Sequence, residues 1–144
     1  MRWFLTALGA LVVLAAAILA SAQLFSPLDL SGEELFTRYC AACHGADARG
    51  TGPVARTLNT QVPDLTELAE RAGGTFPRGA VREAIDGRSM VISHGTRQMP
   101  VWGYEFWVEE GADVVAERTA REMIDRIVLH LESIQVRRQQ AGFE

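Results

Sequence analysis

Apolar residues recur at helical spacing along most of the chain, and no stretch alternates apolar and polar positions as a strand would. The clearest helical pattern lies near the C-terminus, where Arg and Glu fill the positions between the apolar residues. Its apolar stripe consists of Ala120, Met123, Ile124, Ile127, Leu131 and Ile134. We therefore predict an all-α fold in which this helix packs on the core.

Three shorter helices are predicted before it. The first begins at Ser31, which forms a capping box with Glu34, and its apolar stripe runs through residues 35–39 into Cys40. The second follows Asp64 and stops at residues 73–74, which are both glycine. The third spans residues 78–86, with Gly87 as its left-handed C-terminal cap. Residues 104–111 are predicted to form a short helix or turn.

The N-terminus has a different pattern. Arg2 precedes an uncharged apolar run from Trp3 to about Ala20, and the triplet Ala20-Ser21-Ala22 ends it. We interpret residues 1–22 as a signal peptide cleaved after Ala22. A retained membrane anchor is the alternative, since the run approaches the ~20 residues of a spanning helix. In both cases the rest of the chain is exported, which predicts a periplasmic location, and membrane association through residues 3–22 stays open.

The remainder divides into a linker at 23–30, one domain at 31–136 and a polar tail at 137–144. A chain of 144 residues is long enough for one domain with its own core. The net charge is −4, and all 14 basic residues are arginines that are scattered along the chain. Because nucleic-acid binding needs a clustered basic face, this composition argues against a nucleic-acid partner.

The candidate chemistry lies in Cys40-Ala41-Ala42-Cys43-His44. The spacing CxxCH is typical of covalent haem attachment, in which two thiols form thioethers and the histidine ligates the iron. A zinc site would need two further close ligands, whereas the other histidines, His94 and His130, are far apart and no third cysteine exists. A thiol–disulfide exchange site would be expected in a βαβ setting, whereas the residues around this motif predict helices. We therefore predict one covalently bound haem c.

A haem that only moves electrons needs a second iron ligand. The candidates are Met90, His94, Met99, Met123 and His130. Met99 is favoured because Pro100 stiffens the chain after it and glycines flank the segment. His94 is the main rival, Met123 belongs to the apolar stripe of the last helix, and His130 flanks that stripe. Met90 and an open coordination site are further alternatives.

These motifs together resemble the class I cytochromes c. The resemblance covers residues 32 to about 136 and rests on Gly32-x-x-x-Phe36-x-x-x-Cys40, on CxxCH, and on the segments GTGP at 50–53, PDLT at 63–66 and QMPVWG at 98–103. It implies a small helical bundle around one haem. It also implies thioethers at Cys40 and Cys43, iron ligands at His44 and Met99, and a hydrogen bond from the His44 ring to the Pro53 carbonyl.

The resemblance further implies that Gly32 and Phe36 contact the terminal helix opposite Ile127, His130 and Leu131. Two features depart from familiar members of the family. The chain has no lysine, so the lysine ring around the haem edge of mitochondrial members is missing. Residues 104–111 interleave aromatic side chains with carboxylates, either to cover the core or to dock a partner.

Arg56, Arg88 and Arg97 are candidates to neutralise the haem propionates, and the Trp102 indole could donate a hydrogen bond there. The function expected is that of an exported one-electron carrier, not an enzyme, with unidentified redox proteins as donor and acceptor. Two alternatives stay open. One is a membrane-anchored electron-transfer subunit of a dehydrogenase or oxidase complex, and the other is a five-coordinate haem enzyme or gas binder.

Overall fold

The computed structural model describes residues 27–88 and 99–136, and these residues form helices with no strand among them. Two predicted regions, the signal segment 1–22 and the tail 137–144, lie outside the described residues, as do Met90, His94 and Arg97. The α-helices are α1 (Gly32–Tyr39), α2 (Ala41–His44), α3 (Leu68–Arg71), α4 (Arg78–Asp86), α5 (Trp102–Glu109) and α6 (Val114–Ser133). Single-turn 3-10 helices span Pro27–Asp29, Ala55–Thr57 and Leu65–Glu67. The all-α prediction is confirmed.

The terminal helix α6 is the centre of the fold, because α1, α4 and α5 all pack against it. Its apolar stripe is buried from Ala120 to Leu131, with Met123 fully inside the core, and Ile134, just past the end of the helix, is partly buried. The largest fully buried side chains are Leu35, Phe36, Phe106, Met123, Ile124, Ile127 and Val128. Burial of these side chains is the main source of stability in the absence of any disulfide.

Helices α1 and α6 cross closely at Gly32. A Cβ atom at this position would overlap the carbonyl oxygen of Arg126 and would lie 3.0 Å from the Cβ atom of His130. The ring of Phe36 contacts the ring of His130, with 5.4 Å between centroids. The predicted contact of Gly32 and Phe36 with the terminal helix is therefore confirmed, and His130 is a packing residue.

The helix ends follow the capping signals in the sequence. The Ser31 hydroxyl accepts a hydrogen bond of 3.2 Å from the Glu34 N–H, and the Glu34 carboxylate accepts one of 2.7 Å from the Ser31 N–H. Helix α4 has the predicted bounds, and Gly87 follows it with φ 70°. Asp64 also caps a helix, since its carboxylate accepts from the Thr66 N–H at 2.8 Å, but the first turn is a 3-10 helix.

The segment between the methionine loop and the last helix is helical. Residues 104–111 fall mostly within α5, which begins at Trp102 and buries Phe106 completely. Helix α6 starts at Val114, earlier than the apolar stripe indicates, because the Asp113 carboxylate accepts a hydrogen bond of 2.7 Å from the Ala116 N–H and caps it. No helix within 27–88 or 99–136 is long and apolar enough to cross a bilayer.

Candidate haem-attachment site

Cys40, Cys43 and His44 lie within one turn of backbone at the junction of α1 and α2. The Cys40 N–H donates to the Phe36 carbonyl at 2.8 Å and ends α1, while the His44 N–H donates to the Cys40 carbonyl at 2.9 Å and closes α2. Since Phe36 is anchored in the core, α1 fixes the position of the attachment turn. The CxxCH motif thus sits on a rigid element.

The two thiols are unpaired and partly buried. Burial, and then the neighbouring Cys43 thiol, raise the pKa of Cys40 to about 12. A thiol with this pKa is protonated at neutral pH, whereas thiol–disulfide exchange depends on a thiolate with a lowered pKa. The chemistry of Cys40 therefore disfavours a thiol–disulfide exchange site.

The loop after His44 folds back onto α2. Backbone N–H groups of Gly50, Gly52 and Val54 donate to the carbonyls of His44, Cys43 and Ala42 at 2.7, 3.1 and 2.9 Å. These are the carbonyls that the end of a helix leaves without partners, so the loop completes the hydrogen bonding of the attachment turn. A Cβ at position 52 would overlap the Ala42 carbonyl oxygen, and this contact explains the glycine there.

The His44 ring has one buried nitrogen without a partner. Among the residues described, no group makes a hydrogen bond of standard geometry with Nδ1 of His44. Burial lowers the pKa of His44. The backbone carbonyl of Pro63 acts in the opposite direction, but burial is the larger effect. A neutral imidazole with one nitrogen held near a carbonyl is the form that ligates a metal.

The backbone carbonyl that acts on the pKa of His44 belongs to Pro63, whereas the family resemblance predicts a hydrogen bond to the Pro53 carbonyl. Both prolines are exposed, and Pro53 lies in the returning loop. Two contacts bring residues 62–63 to the histidine: the Leu65 N–H donates to the Ala48 carbonyl at 2.7 Å, and Gly50 packs directly on the Val62 carbonyl. Pro63 belongs to the PDLT segment, so the sequence contained this acceptor within a motif already singled out.

Met99 is partly buried and packs against the hydrophobic core, as Cys40 does. The two other described candidates for the second ligand have structural roles: Met123 is enclosed by the core, and His130 packs on Phe36. Met90 and His94 lie outside the described residues. Within the described part of the chain, Met99 is the candidate at the edge of the core.

Of the arginines predicted to neutralise the haem propionates, Arg88 has a different role. The Arg88 guanidinium is engaged by two carboxylates, since Nε donates to Asp86 at 2.7 Å and Nη1 donates to Glu117 at 2.5 Å. Arg88 is therefore a structural residue and not a partner for a propionate. Arg56 is exposed, and Trp102 packs against Tyr39 and Phe106.

The donor set fits a haem better than a metal held by protein alone. Residues 27–88 and 99–136 contain no group of three or more His, Cys, Asp and Glu side chains that could hold a metal ion. A porphyrin supplies four nitrogens itself, so one imidazole and one further ligand suffice. The free thiols of Cys40 and Cys43 would fasten a haem, and His44, whose Nδ1 is buried without a partner, would ligate its iron.

Comparison with known proteins also indicates a c-type cytochrome. The sequence model of the family described as cytochrome c oxidase, cbb3-type, subunit III matches residues 28–117, which is more than half of the chain. This is a class I c-type cytochrome family. No curated protein and no solved structure gave a match.

Proposed function

The chain belongs to the family of cbb3-type cytochrome c oxidase subunit III, a cytochrome c domain that implies haem-based electron transfer, and on this premise we propose that it is an exported monohaem one-electron carrier. The observation that carries the proposal is the CxxCH turn, in which two unpaired thiols adjoin a histidine whose Nδ1 is buried without a partner. When bound, the haem supplies a one-electron iron couple.

Cys40 and Cys43 fasten the haem in this proposal. Each thiol would add its sulfur and its hydrogen across one vinyl double bond, so that no atom leaves and no oxidant is needed. Both cysteines are used, in agreement with the absence of a disulfide between them. Attachment at two points of a short helix would place the haem beside His44.

His44 would ligate the iron through Nε2, and its Nδ1, which has no partner of standard geometry, would be held toward the Pro63 carbonyl. This contact would fix the tautomer and raise the basicity of the ligating nitrogen. Met99, which packs at the edge of the core, would provide the second ligand, with Pro100 restricting the backbone behind it. A thioether ligand favours a more positive reduction potential than a second histidine.

A variant of the second ligand tests the iron environment. We expect the ferric protein to show a sulfur-to-iron charge-transfer band that disappears in Met99→Ala. The control, Met123→Leu, replaces the other described methionine within the core and should keep the band. A band that survives in Met99→Ala, or one that is missing from the wild type, would rule out Met99 as the ligand. Ready binding of carbon monoxide to the ferrous wild type would favour a five-coordinate haem enzyme or gas binder.

The family name favours a second candidate function, that of an electron-transfer subunit in a larger oxidase. In this version residues 3–22 remain as a membrane anchor, and the domain faces the periplasm. N-terminal sequencing of the mature protein distinguishes the two versions, because cleavage after Ala22 gives a chain that starts at Gln23. Retention of residue 1 or 2, together with co-purification of larger subunits, would support the anchored subunit.

A further inference from the structure

The outer face of α5 combines exposed apolar and acidic side chains. We define the α5 face as Tyr104, Glu105, Val108 and Glu109. Tyr104 and Val108 are 51% and 46% exposed and are separated by four residues, so they lie one turn apart on the same side of the helix. Glu105 and Glu109 repeat this spacing beside them and are also exposed. The opposite side of α5 buries Phe106 in the core.

The segment that carries the α5 face is acidic, and its carboxylates continue past the end of the helix. Residues 104–113 include four carboxylates and no basic residue. The nearby cation is Arg38, whose guanidinium lies 3.9 Å from the Glu109 carboxylate, with both side chains about half exposed. Val114, which is 80% exposed, follows the turn, where the Trp107 indole N–H donates to the Asp113 carbonyl at 3.1 Å. Apolar surface and negative charge therefore coincide here.

Aromatic contacts connect the α5 face to the attachment turn. The Tyr39 hydroxyl donates to the Glu109 carboxylate, with oxygen distances of 3.2 and 3.3 Å. The Tyr39 ring contacts Phe106 with a centroid distance of 4.9 Å and Trp102 at 5.7 Å. Tyr39 directly precedes Cys40. A partner on the α5 face would thus contact Glu109, which is hydrogen-bonded to the residue directly before Cys40.

We propose that the α5 face docks a redox partner protein whose surface presents apolar residues surrounded by Lys and Arg. The inference rests on the proposed electron-transfer function. Negative charge on this face steers a basic partner toward it, and the exposed Tyr104 and Val108 provide the apolar centre typical of a protein interface. Charge complementarity favours a basic protein as the occupant, because two copies of this acidic face would repel each other.

The test uses a lysine-rich mitochondrial cytochrome c with zinc in place of iron as the basic probe. Its photoexcited state donates an electron to the ferric haem of the holoprotein, and the second-order quenching constant is measured against ionic strength. We expect the wild-type constant to fall steeply with added salt. We expect Glu105→Arg to lower it roughly three- to tenfold at low ionic strength and to match the wild type at high salt.

Glu83→Arg is the matched control. Glu83 is exposed on the side of α4 opposite the buried Val81 and Ile85, and the substitution changes net charge by the same amount. It should change the constant less than twofold. A second comparison removes apolar surface. Val108→Ser is expected to slow quenching, and Leu129→Ser, at a position of similar exposure on α6, is expected to leave it unchanged.

Several outcomes overturn the proposal. Equal effects of Glu105→Arg and Glu83→Arg would show that only net charge matters, and a probe with acetylated lysines that reacts as fast as the native one would exclude a basic partner. A wild-type dimer that Val108→Ser dissociates would make the face a self-association surface. Should Glu105→Arg fold poorly by circular dichroism, Glu105→Gln provides the same comparison with half the charge change. Absence of covalent haem from the purified wild type would instead reject the proposed function itself.

Discussion

Arg88 donates a hydrogen bond of 2.5 Å to Glu117 and thereby ties the end of α4 to the first turn of α6. The same guanidinium donates to Asp86 at 2.7 Å, so one cation holds two carboxylates from different parts of the chain. All three side chains are less than one third exposed, and ion pairs of this kind are screened less by solvent than fully exposed ones.

This cluster makes stability depend on acid pH. The hydrogen bond from Arg88 holds the pKa of Asp86 below its ordinary value of 3.8, and hydrogen bonds from Arg88 and Arg121 lower the pKa of Glu117. A carboxyl whose pKa is lower in the folded state contributes stability above its unfolded pKa and loses it as pH falls through the folded pKa. We therefore expect the holoprotein to lose stability below about pH 4.

Asp86→Asn should lower the free energy of unfolding by about 1 kcal/mol at pH 7 and should flatten its decline below pH 4. Urea unfolding of the holoprotein at a series of pH values measures both effects. Glu67→Gln is the control, because Glu67 pairs with Arg71 on an exposed helix surface and should contribute less than about 0.5 kcal/mol. Equal losses in the two variants would contradict the structural role of the Arg88 cluster.

Gly32→Ala should destabilise the fold by about 1–3 kcal/mol, since the new methyl group meets the Arg126 carbonyl and forces α1 away from α6. Thermal unfolding measures the loss. Gly79→Ala places the same methyl group in open space within α4 and should be neutral or stabilising by up to about 1 kcal/mol. A Gly32→Ala protein as stable as the wild type would show that the two helices can separate without cost.

Gly52→Ala should impair the attachment turn itself. Its methyl group would overlap the Ala42 carbonyl and disturb the loop that donates hydrogen bonds to Cys43 and His44. We expect a several-fold lower yield of protein with covalent haem, measured by haem absorbance per polypeptide. Gly79→Ala again serves as the control, and a normal yield in Gly52→Ala would show that the loop does not support attachment.

Phe106→Ala should lower the free energy of unfolding by about 3–5 kcal/mol, because Phe106 is fully buried where α5 meets the core. Tyr104→Ala, two residues earlier on the exposed side of the same helix, should change it by less than about 0.5 kcal/mol. Chemical denaturation of both holoproteins makes the comparison, and similar losses would mean that α5 is not oriented as described.

The helices could be predicted where their signals are local. Ser31 with Glu34 and Gly87 after residue 86 fix helix ends through contacts within a few residues, and the stripe from Met123 to Leu131 fixes the buried side of α6. The apolar stripe does not indicate where α6 starts, because Val114 is exposed and is not part of the stripe. The signal available there was Asp113, which caps the helix.

The donors of the candidate site follow from the sequence motif, whereas the contacts that support them do not. CxxCH identifies Cys40, Cys43 and His44 by spacing alone. The carbonyl beside His44 depends on how the loop folds back, which placed Pro63 there instead of Pro53. The pairing of Arg88 with Glu117 spans 29 residues and has no local signature.

The mass of the intact, fully denatured chain tests the central claim most directly. Covalent attachment at Cys40 and Cys43 predicts the mass of the polypeptide plus one haem, which persists after acid–acetone extraction and is absent from the double variant Cys40→Ala, Cys43→Ala. A wild-type chain with the mass of the bare polypeptide, and haem recovered in the extract, would contradict the account.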